Sequence, residues 1–389
     1  MKFDFDKVIA REGTGSVKYD GRKQYFGTDD VIPLWVADAD FAIPDCVTRA
    51  LQQRAQHPVY GYTIHPESLY QSIIEWFERR HQWKIERDWI LMAPGVVPSL
   101  FAAVQAFAKE GEGVIVQSPV YLPFYSSVTT NNRKLIINPL REINGRYEMD
   151  VDHLEHCAAQ GAKLLILCTP HNPVGRVWSE AELQEVLRIS RKYDLTILSD
   201  DIHCDLTYHG VKHTMLGRLA QPGDKIITAI APNKTFNIAG LGLSAIIIPD
   251  AEQRNAIKKI FESLHVSNAN PFSIVAFEAA YREGDAWLDA LMHYLKSSRD
   301  FVADYLAEHE PRIKFVKPEA TYLLWLDCKE LGKTDAQLRE FFIKDCKVGM
   351  NSGTIFGENG SGFMRMNIGT PKSLIHEALK NISNQTNLF

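Results

Sequence analysis

Residues 231–241 read Ala231-Pro232-Asn233-Lys234-Thr235-Phe236-Asn237-Ile238-Ala239-Gly240-Leu241, and they follow a short apolar run, residues 225–230. That run has the length and the β-branched content of a buried strand. A lysine just past such a strand end faces the crevice in which open α/β sheets hold ligands. Its amine can form an imine with a carbonyl compound and so act as a covalent catalyst. Because a single lysine in a loop is usually only solvated, this interpretation depends on what the other strand ends carry.

Apolar runs alternate with amphipathic stretches from residue 89 onward, which is typical of a parallel sheet covered by helices. A helix is predicted over residues 98–108, and another begins at Ser179, where Glu182 three residues on completes a capping-box pattern. We therefore predict an α/β protein with a mostly parallel sheet. Its strands are expected at residues 89–93, 114–117, 163–168, 195–199, 225–230 and 243–248.

The domain organisation is predicted from length and from a change of pattern after Pro249. A chain of 389 residues exceeds what a single core usually supports. Helices are expected at about 251–265 and 271–283, followed by a longer one from about 285 that ends before Pro311. Strands at 321–326 and 362–367, a helix from about Thr334 and a last helix capped by Thr370 complete the chain. We expect an arm (1–45) packing with a small α+β domain (285–389), and a large domain (46–284).

Composition excludes several classes of partner. A net charge of −5 gives no reason to expect nucleic acid or an anionic membrane as partner. No apolar run approaches the ~20 residues that cross a bilayer, and the N-terminal residues lack the apolar core of a signal peptide. The six cysteines have no CxxC spacing, which favours free thiols over disulfides or a zinc site. We expect a cytoplasmic protein without a metal.

Four other strand ends carry groups that complement Lys234. Gly95-Val96-Val97 opens a helix after a strand, which makes a potential anion site. Tyr121 could stack on a planar ligand, Asn172 lies between two prolines, and Asp200 ends an apolar strand. Each has an ordinary structural alternative: a simple turn, a core tyrosine, a turn amide and a helix cap. Together they offer a phosphate cradle, a ring, an amide, a carboxylate and an amine, which fits pyridoxal 5′-phosphate.

These motifs resemble those of the fold type I pyridoxal-phosphate enzymes, the class I/II aminotransferase family. Within it, the chain is most similar to the cystathionine β-lyase (MalY/PatB-type C–S lyase) branch. The resemblance covers nearly the whole chain. It rests on residues 34–41 (LWVADADF), 60–62 (YGY), 168–175 (CTPHNPVG), 199–203 (SDDIH), 234–241 (KTFNIAGL) and 362–367 (GFMRMN).

The resemblance implies a role for each site residue. Lys234 would bond to the cofactor's aldehyde and act as general base, while Asp200 would pair with the ring nitrogen and keep a lowered pKa beside that cation. The other cofactor contacts implied are Gly95, Val96, Val97, Tyr121, Asn172, His203, Asn233 and Tyr62. The residues implied to bind substrate are Arg365, Ala37, Asn172 and Tyr62. Because Tyr62 would reach a neighbouring subunit's site, a homodimer with shared active sites is expected.

The chain departs from the family pattern in several places. His203 stands where many aminotransferases have tyrosine, as in the lyase branch, and Asp201 replaces a glutamate, a shortening that we expect to be tolerated. Ala231 and Gly242 occupy positions where many relatives carry a serine and an arginine for the phosphate. Phosphate binding would then depend on the Gly95 turn, on Asn233 and on further groups, among which Tyr60 and Tyr62 are candidates.

The predicted activity is α,β-elimination from L-cystathionine or another S-substituted L-cysteine, which yields a thiol, pyruvate and ammonia. The main alternative is a pyridoxal-phosphate-dependent aminotransferase, which shares the early steps. A pyridoxal-phosphate-binding regulator is a third possibility, although the residues before Trp35 are too few for a winged-helix domain. A catalytically inactive binding module is the fourth, and the presence of Lys234, Asp200 and Arg365 argues against it.

Overall fold

The computed structural model describes residues 3–266 and 270–386. The α-helices are α1 (Val17–Asp20), α2 (Arg22–Phe26), α3 (Asp45–Gln56), α4 (Glu67–His81), α5 (Val96–Phe107), α6 (Leu122–Thr129), α7 (Val151–Ala159), α8 (Glu180–Tyr193), α9 (Leu216–Leu219), α10 (Ala251–Ser263), α11 (Pro271–Glu283), α12 (Asp285–His309), α13 (Asp335–Glu340) and α14 (Lys372–Thr386).

The strands are β1 (Ile32–Pro33), β2 (Ile90–Ala93), β3 (Gly113–Ser118), β4 (Lys134–Pro139), β5 (Arg141–Ile143), β6 (Arg146–Glu148), β7 (Leu164–Cys168), β8 (Thr196–Asp200), β9 (Ile226–Ile230), β10 (Ser244–Ile247), β11 (Leu323–Asp327), β12 (Val348–Gly349), β13 (Asn351–Ser352) and β14 (Phe363–Asn367). A π-helical turn, Phe341–Asp345, extends α13.

A seven-stranded sheet forms the centre of the fold, in the order β2-β10-β9-β8-β7-β3-β4. Only β10 runs against its two neighbours, and the other pairs are parallel. The carboxyl ends of β2, β9, β8, β7 and β3 therefore meet at one edge. This confirms the predicted α/β class with a mostly parallel sheet.

The central strands are apolar because helices cover both faces of the sheet. Every residue of β3, β7, β8, β9 and β10 is buried. Two separate apolar clusters lie on either side, one built with α5 and the other with α7 and α8. The capping box predicted at the start of α8 is present, since Ser179 and Glu182 exchange both hydrogen bonds. Burial on two faces explains why these strands read as continuous apolar runs.

Several elements differ from the sequence-based prediction. The edge strand β4 and the helices α6 and α7 were not predicted, and α5 begins at Val96 rather than at residue 98. The cap expected at Thr370 is wrong. The carbonyl of Pro371 accepts the first helical hydrogen bond of α14, from Leu374 at 3.0 Å. The hydroxyl of Thr370 is buried without a partner in the described part of the chain.

The C-terminal region and the N-terminal arm contact each other. A three-stranded sheet, β11-β14-β13, follows the 25-residue helix α12, and strand β1 of the arm pairs with β12. The arm contains the short helices α1 and α2, which were not predicted. The domain boundaries at residues 45 and 284 remain our proposal. Within the described residues, no helix has both the length and the apolar character of a membrane span.

Candidate active site

Five of the predicted site positions lie at the same edge of the sheet. Gly95 follows β2, Tyr121 follows β3, Asn172 follows β7, Asp200 ends β8 and Lys234 follows β9. Because the carboxyl ends of these strands meet at that edge, the fold brings together groups that are up to 139 positions apart in the sequence. This is the edge at which open α/β sheets bind ligands.

Lys234 is held inside the site by the arm. Its Nζ donates a hydrogen bond of 2.6 Å to the carbonyl oxygen of Ala37. The pKa of Lys234 is lowered to about 8, chiefly by burial and also by the charge of Arg365, whereas the charges of Asp38 and Asp200 raise it in part. A neutral amine is therefore accessible near physiological pH, and only the neutral amine is a nucleophile or a base.

Asp200 is a buried carboxylate with little stabilisation from the protein. Its Oδ1 accepts one hydrogen bond, from the backbone N–H of Ile202 at 3.2 Å. The pKa of Asp200 is raised to about 7, chiefly by burial and also by the charge of Asp201, while the hydrogen bond from Ile202 and the charge of Lys234 lower it only in part. The lowered pKa expected for Asp200 refers to the carboxylate beside the ring cation of the cofactor and stays a prediction.

The neighbouring carboxylate, Asp201, is turned away from Asp200 and is fully paired. It accepts a hydrogen bond of 2.5 Å from the hydroxyl of Ser199 and contacts Nε2 of His213 at 2.8 Å. Its backbone N–H is bonded to the carbonyl of Ala229 in the adjacent strand. Asp201 thus holds the end of β8 in place, and Asp200 is left to face the site.

Arg365 is a buried cation that no described carboxylate pairs. Strand β14 carries it, and Nη1 donates to Oδ1 of Asn172 at 3.1 Å. Nη2 donates to Oδ1 of Asn351 at 2.8 Å and to the carbonyl of Trp35 at 2.9 Å, while Nε has no partner among the described residues. The guanidinium lies over the ring of Phe356. Burial lowers its pKa to about 10, so an anion here would be bound strongly.

The start of α5 offers unpaired backbone donors. Gly95 is the residue before the helix, and no side chain caps the N–H groups that include those of Val96 and Val97. Such helix ends attract anions through these donors and the helix dipole. Asn233 adds a buried amide whose Oδ1 has no partner in the described region.

The two departures from the phosphate pattern have structural explanations. Ala231 is packed against Val96 and Ala229 in a small apolar cluster at the end of β9. Gly242 has φ 66° and ψ −150°, a backbone conformation that residues other than glycine rarely adopt. An arginine at position 242 would therefore require a different local backbone.

His203 is buried in the site, whereas Tyr121 is partly exposed. His203 is buried, and its Nδ1 has no partner in the described part of the chain. Burial, together with the cations Lys234 and Arg365, lowers its pKa to about 3, so the imidazole is neutral. Tyr121 precedes α6 and is 40 % exposed, which leaves its ring accessible to a ligand.

Tyr62 does not take part in the site of its own chain. It belongs to a segment without regular structure, residues 57–66, and its side chain is completely exposed, at 112 % of the reference value. Tyr60 is also exposed, stacks on Phe272 and donates to the carbonyl of Ala55. Neither tyrosine has a described contact with Lys234 or with Arg365.

The sequence analysis missed the residues that hold the arm. Tyr322 donates to the carbonyl of Ala37 at 3.0 Å, so this oxygen receives both Tyr322 and Lys234. Asn237 donates to the carbonyls of residues 39 and 41, and Asn367 donates to those of residues 36 and 38. Asn237 and Asn367 lie within the quoted motifs, which was the available signal.

One buried cluster has ligand types that can bind metals. The ligand atoms of His81, Cys204 and Asp205 all lie within 4.8 Å of one another. However, the carboxylate of Asp205 already accepts from Trp76 at 3.1 Å and Thr235 at 2.9 Å, and it contacts His81 at 2.7 Å. Since Thr235 follows Lys234, this carboxylate supports the loop that carries the lysine.

Comparison with known proteins gives consistent results. The sequence profile described as "Aminotransferase class I and II" matches residues 29–382. The chain is 41 % identical to cystathionine beta-lyase PatB of Bacillus subtilis, over 97 % of this chain and 98 % of that one. It is 31 % identical to protein MalY of Escherichia coli, over 98 % of each.

Among solved structures, cystalysin from Treponema denticola, which contains a pyridoxal 5′-phosphate cofactor, superposes with a TM-score of 0.97. It is 37 % identical, and the match covers 100 % of this chain and 99 % of that one. The sheet order, the placement of Lys234 and the profile match agree with one another. The chain therefore belongs to the class I and II aminotransferase family and has the fold of the type I pyridoxal-phosphate-dependent transferases.

Proposed function

We propose that this protein is a pyridoxal-phosphate-dependent C–S β-lyase. It would cleave L-cystathionine, or another S-substituted L-cysteine, with water to a thiol such as homocysteine, pyruvate and ammonia. The observation that carries the proposal is a partly buried lysine of lowered pKa, Lys234, in a site that also holds Asp200 and Arg365, a cation that no described carboxylate pairs. The named activities of the relatives PatB and cystalysin support the lyase reaction.

The residues present fit pyridoxal phosphate. A carboxylate whose pKa burial raises to about 7, as for Asp200, suits a partner that brings a cationic N–H. The uncapped backbone N–H groups of Val96 and Val97 suit a phosphate, and the Nδ2 donor of the buried Asn233 would add to them. Lys234 would hold the aldehyde carbon, and the exposed ring of Tyr121 would cover the pyridine face. Asn172 and His203 would complete the contacts.

When bound, the cofactor supplies an aldehyde for the substrate amine and a protonated ring that withdraws electrons from Cα. The proton of Cα is then the atom that the protein must move. Lys234 Nζ is the base for this step, because burial makes its neutral form available at about pH 8. Asp200 would be ionised against the ring nitrogen and would keep that nitrogen protonated.

The substrate's α-carboxylate would bind to Arg365. Its fork already lies between Asn172 and Asn351, which fixes its orientation, and its Nε has no partner among the described residues. A planar, pre-oriented guanidinium binds a carboxylate through two hydrogen bonds. Ala37 is the arm residue closest to this chemistry, since its carbonyl contacts Lys234.

We further propose a cytoplasmic homodimer. The exposed segment around Tyr62 also presents Val59, Tyr60 and Ile64, three more apolar side chains that are more than half exposed. Contiguous exposed apolar side chains of this kind mark interaction surfaces. A second copy of the chain would cover them and would receive Tyr62 in its site. The six free, buried cysteines suit a reducing compartment.

The competing function is an aminotransferase, because the family includes such enzymes and shares the early proton transfer. Purified holoenzyme should be incubated with L-cystathionine alone, and both pyruvate and free thiol should be assayed. We expect sustained, equimolar release of the two products without any keto acid. Turnover that requires a keto acid such as 2-oxoglutarate would contradict the lyase proposal. Lys234→Ala should abolish release in either case.

A further inference from the structure

A second cleft, of about 790 Å³, lies at the opposite edge of the central sheet from Lys234. It is formed where β9 begins, where the chain enters β2 at Trp89, and where the antiparallel β10 has ended, near Pro249. Its volume falls in the range of small-molecule sites, roughly 300–1,000 Å³. None of the catalytic groups described above contributes to its lining.

One wall of this cleft is aromatic and rigidly placed. Trp83 is only 4 % exposed, and Trp89 is partly buried beside it in the lining. The indole of Trp83 is packed on the backbone of Gly217, where an added Cβ would come within 2.5 Å of Cζ2. The indole of Trp83 can therefore pack here only because residue 217 has no side chain. A planar apolar group is the natural partner for such a wall.

Two buried polar atoms in the lining have no partner among the described residues. They are the hydroxyl Oγ1 of Thr228, which is 1 % exposed, and Oε1 of Gln253, which is 8 % exposed. Buried polar atoms are almost always hydrogen-bonded, so each exception calls for an explanation. The hydroxyl of Thr228 lies close to the point where Trp83 packs on Gly217, since a Cβ added at Gly217 would be 3.2 Å from Oγ1 of Thr228.

Most charged groups of the cleft are already paired within the protein. Lys225 contacts Asp194 at 2.6 Å, and Asp224 contacts Arg191 at 2.8 Å. Asp250 caps α10 through the backbone N–H of Gln253. Lys84 lies 3.8 Å from Glu78. Within the described residues, Arg218 and Glu252 are the charged lining groups that have neither an ion pair nor a capping hydrogen bond. A ligand with one negatively and one positively charged group would complement Arg218 and Glu252.

We propose that this cleft is a second ligand site, which takes a free aromatic amino acid. The aromatic side chain would lie against the more exposed indole of Trp89, on the wall that Trp83 supports, and its polar edge would pair with Thr228 and Gln253. Arg218 would hold the α-carboxylate and Glu252 the α-ammonium group. The site is separate from the catalytic edge, so this inference does not depend on the proposed lyase activity.

The test is isothermal titration of the holoenzyme with L-tryptophan. We expect one molecule per chain at the cleft, counted apart from any L-tryptophan taken up at the catalytic edge, which the visible absorption of the cofactor would report. Lys234→Ala should retain the cleft binding because the cleft does not involve the catalytic edge. Thr228→Val and Gln253→Met should each weaken binding about 3- to 10-fold, the effect of one hydrogen bond. Without ligand, both variants should keep or raise the melting temperature, because each removes a buried atom that has no partner.

Two analogues of L-tryptophan, each lacking one charged group, distinguish recognition of the amino-acid group from non-specific hydrophobic binding. Tryptamine lacks the carboxylate, so Arg218→Gln should abolish the advantage of L-tryptophan over tryptamine. Indole-3-propionate lacks the amine, so Glu252→Gln should abolish the advantage over that probe. The proposal fails if the holoenzyme binds no L-tryptophan, if Lys234→Ala eliminates binding, or if the cleft variants leave affinity unchanged. It also fails if Thr228→Val and Gln253→Met destabilise the free protein, because the two atoms would then be paired already.

Discussion

Lys234 is partly buried and Asp200 is buried, and the loss of solvent moves their pKa values toward each other. The pKa of the lysine falls to about 8 and that of the carboxyl rises to about 7. In water the two values differ by more than six units, because an exposed carboxyl titrates near 3.9 and a lysine near 10.4. Their charge states are therefore both adjustable near neutral pH, which an exposed pair would not allow.

The pKa of Asp200 predicts a pH-dependent stability in the cofactor-free protein. The folded pKa is raised, so its stabilising contribution is complete below about pH 4 and is lost as the pH rises to about 7. The loss is on the order of 4 kcal/mol. Relative to the wild type, Asp200→Asn should therefore gain stability as the pH rises from 4 to 7, measured by urea denaturation.

Asp224→Asn is the matched control for this experiment. The hydrogen bond from Arg191 lowers the pKa of Asp224, so its contribution is present at neutral pH and lost in acid. Asp224→Asn should therefore lose stability at pH 7, and the loss should shrink as the pH falls. A stability difference for Asp200→Asn that does not vary with pH would contradict the buried ionisation described here.

Arg365→Lys should weaken the binding of substrates that carry an α-carboxylate. A lysine offers a point charge instead of a fork and loses one of two charge-assisted hydrogen bonds, which contribute about 1.5–3 kcal/mol each. We expect kcat/KM to fall about 10- to 100-fold, while the visible absorption of the cofactor is unchanged. With an analogue that lacks the carboxylate, variant and wild type should react equally slowly, and any difference there would point to another role for Arg365.

The residues at the strand ends could be predicted because each follows an apolar run that reads as a strand. Asp200 and Lys234 were found in this way, and the structure brings them to one edge. Tyr322 and Asn351 could not be found, because their partners are set by how distant segments pack. Nothing in the local sequence indicates that Asn351 will contact Arg365.

At the scale of elements, the arm is attached to the site by more than apolar packing. Arg11 makes hydrogen bonds to Asp38 at 2.8 and 3.0 Å and to Asp40 at 2.7 Å, and Lys18 also pairs with Asp40. These groups lie just beyond Ala37, so the ion pairs fix the backbone that contacts Lys234. The arm is thus a structural part of the site.

Arg11→Gln should loosen the arm without unfolding the central sheet. The variant loses charge-assisted hydrogen bonds to two carboxylates, so cleavage by chymotrypsin within the first 40 residues should become faster, as followed by mass spectrometry. KM should rise because Ala37 is held less firmly. Arg49→Gln, which breaks the exposed pair with Glu283, is the control and should behave like the wild type. Equal cleavage of the two variants would refute the role of Arg11.

The central elements were easier to predict than the peripheral ones for a physical reason. Strands buried on both faces must be apolar throughout, so β7, β8 and β9 are visible in the sequence. Strand β4 lies at the sheet edge, where exposed and buried positions mix, and it ends in a proline. The direction of β10 could not be predicted, because its composition suits either orientation.

At the scale of the whole molecule, the proposed dimer follows from an incomplete site. The completely exposed Tyr62 is predicted to serve the partner chain. Subunits of Tyr62→Phe and of Lys234→Ala, each nearly inactive alone, should regain activity when mixed and exchanged. A mixed dimer then contains one site with both native residues. If activity does not return although mass spectrometry confirms mixed dimers, the two residues act in the same chain's site and the proposal is wrong.

The carbonyl of Ala37, which accepts from both Lys234 and Tyr322, links the chemistry to the arm mechanically. Any bond that Lys234 forms elsewhere takes one donor away from this oxygen and leaves only the phenol. The arm is then anchored by one contact fewer, and its backbone amides near residue 38 open more often to solvent. Hydrogen–deuterium exchange in the arm would therefore report, at a distance, whether the lysine is free or engaged.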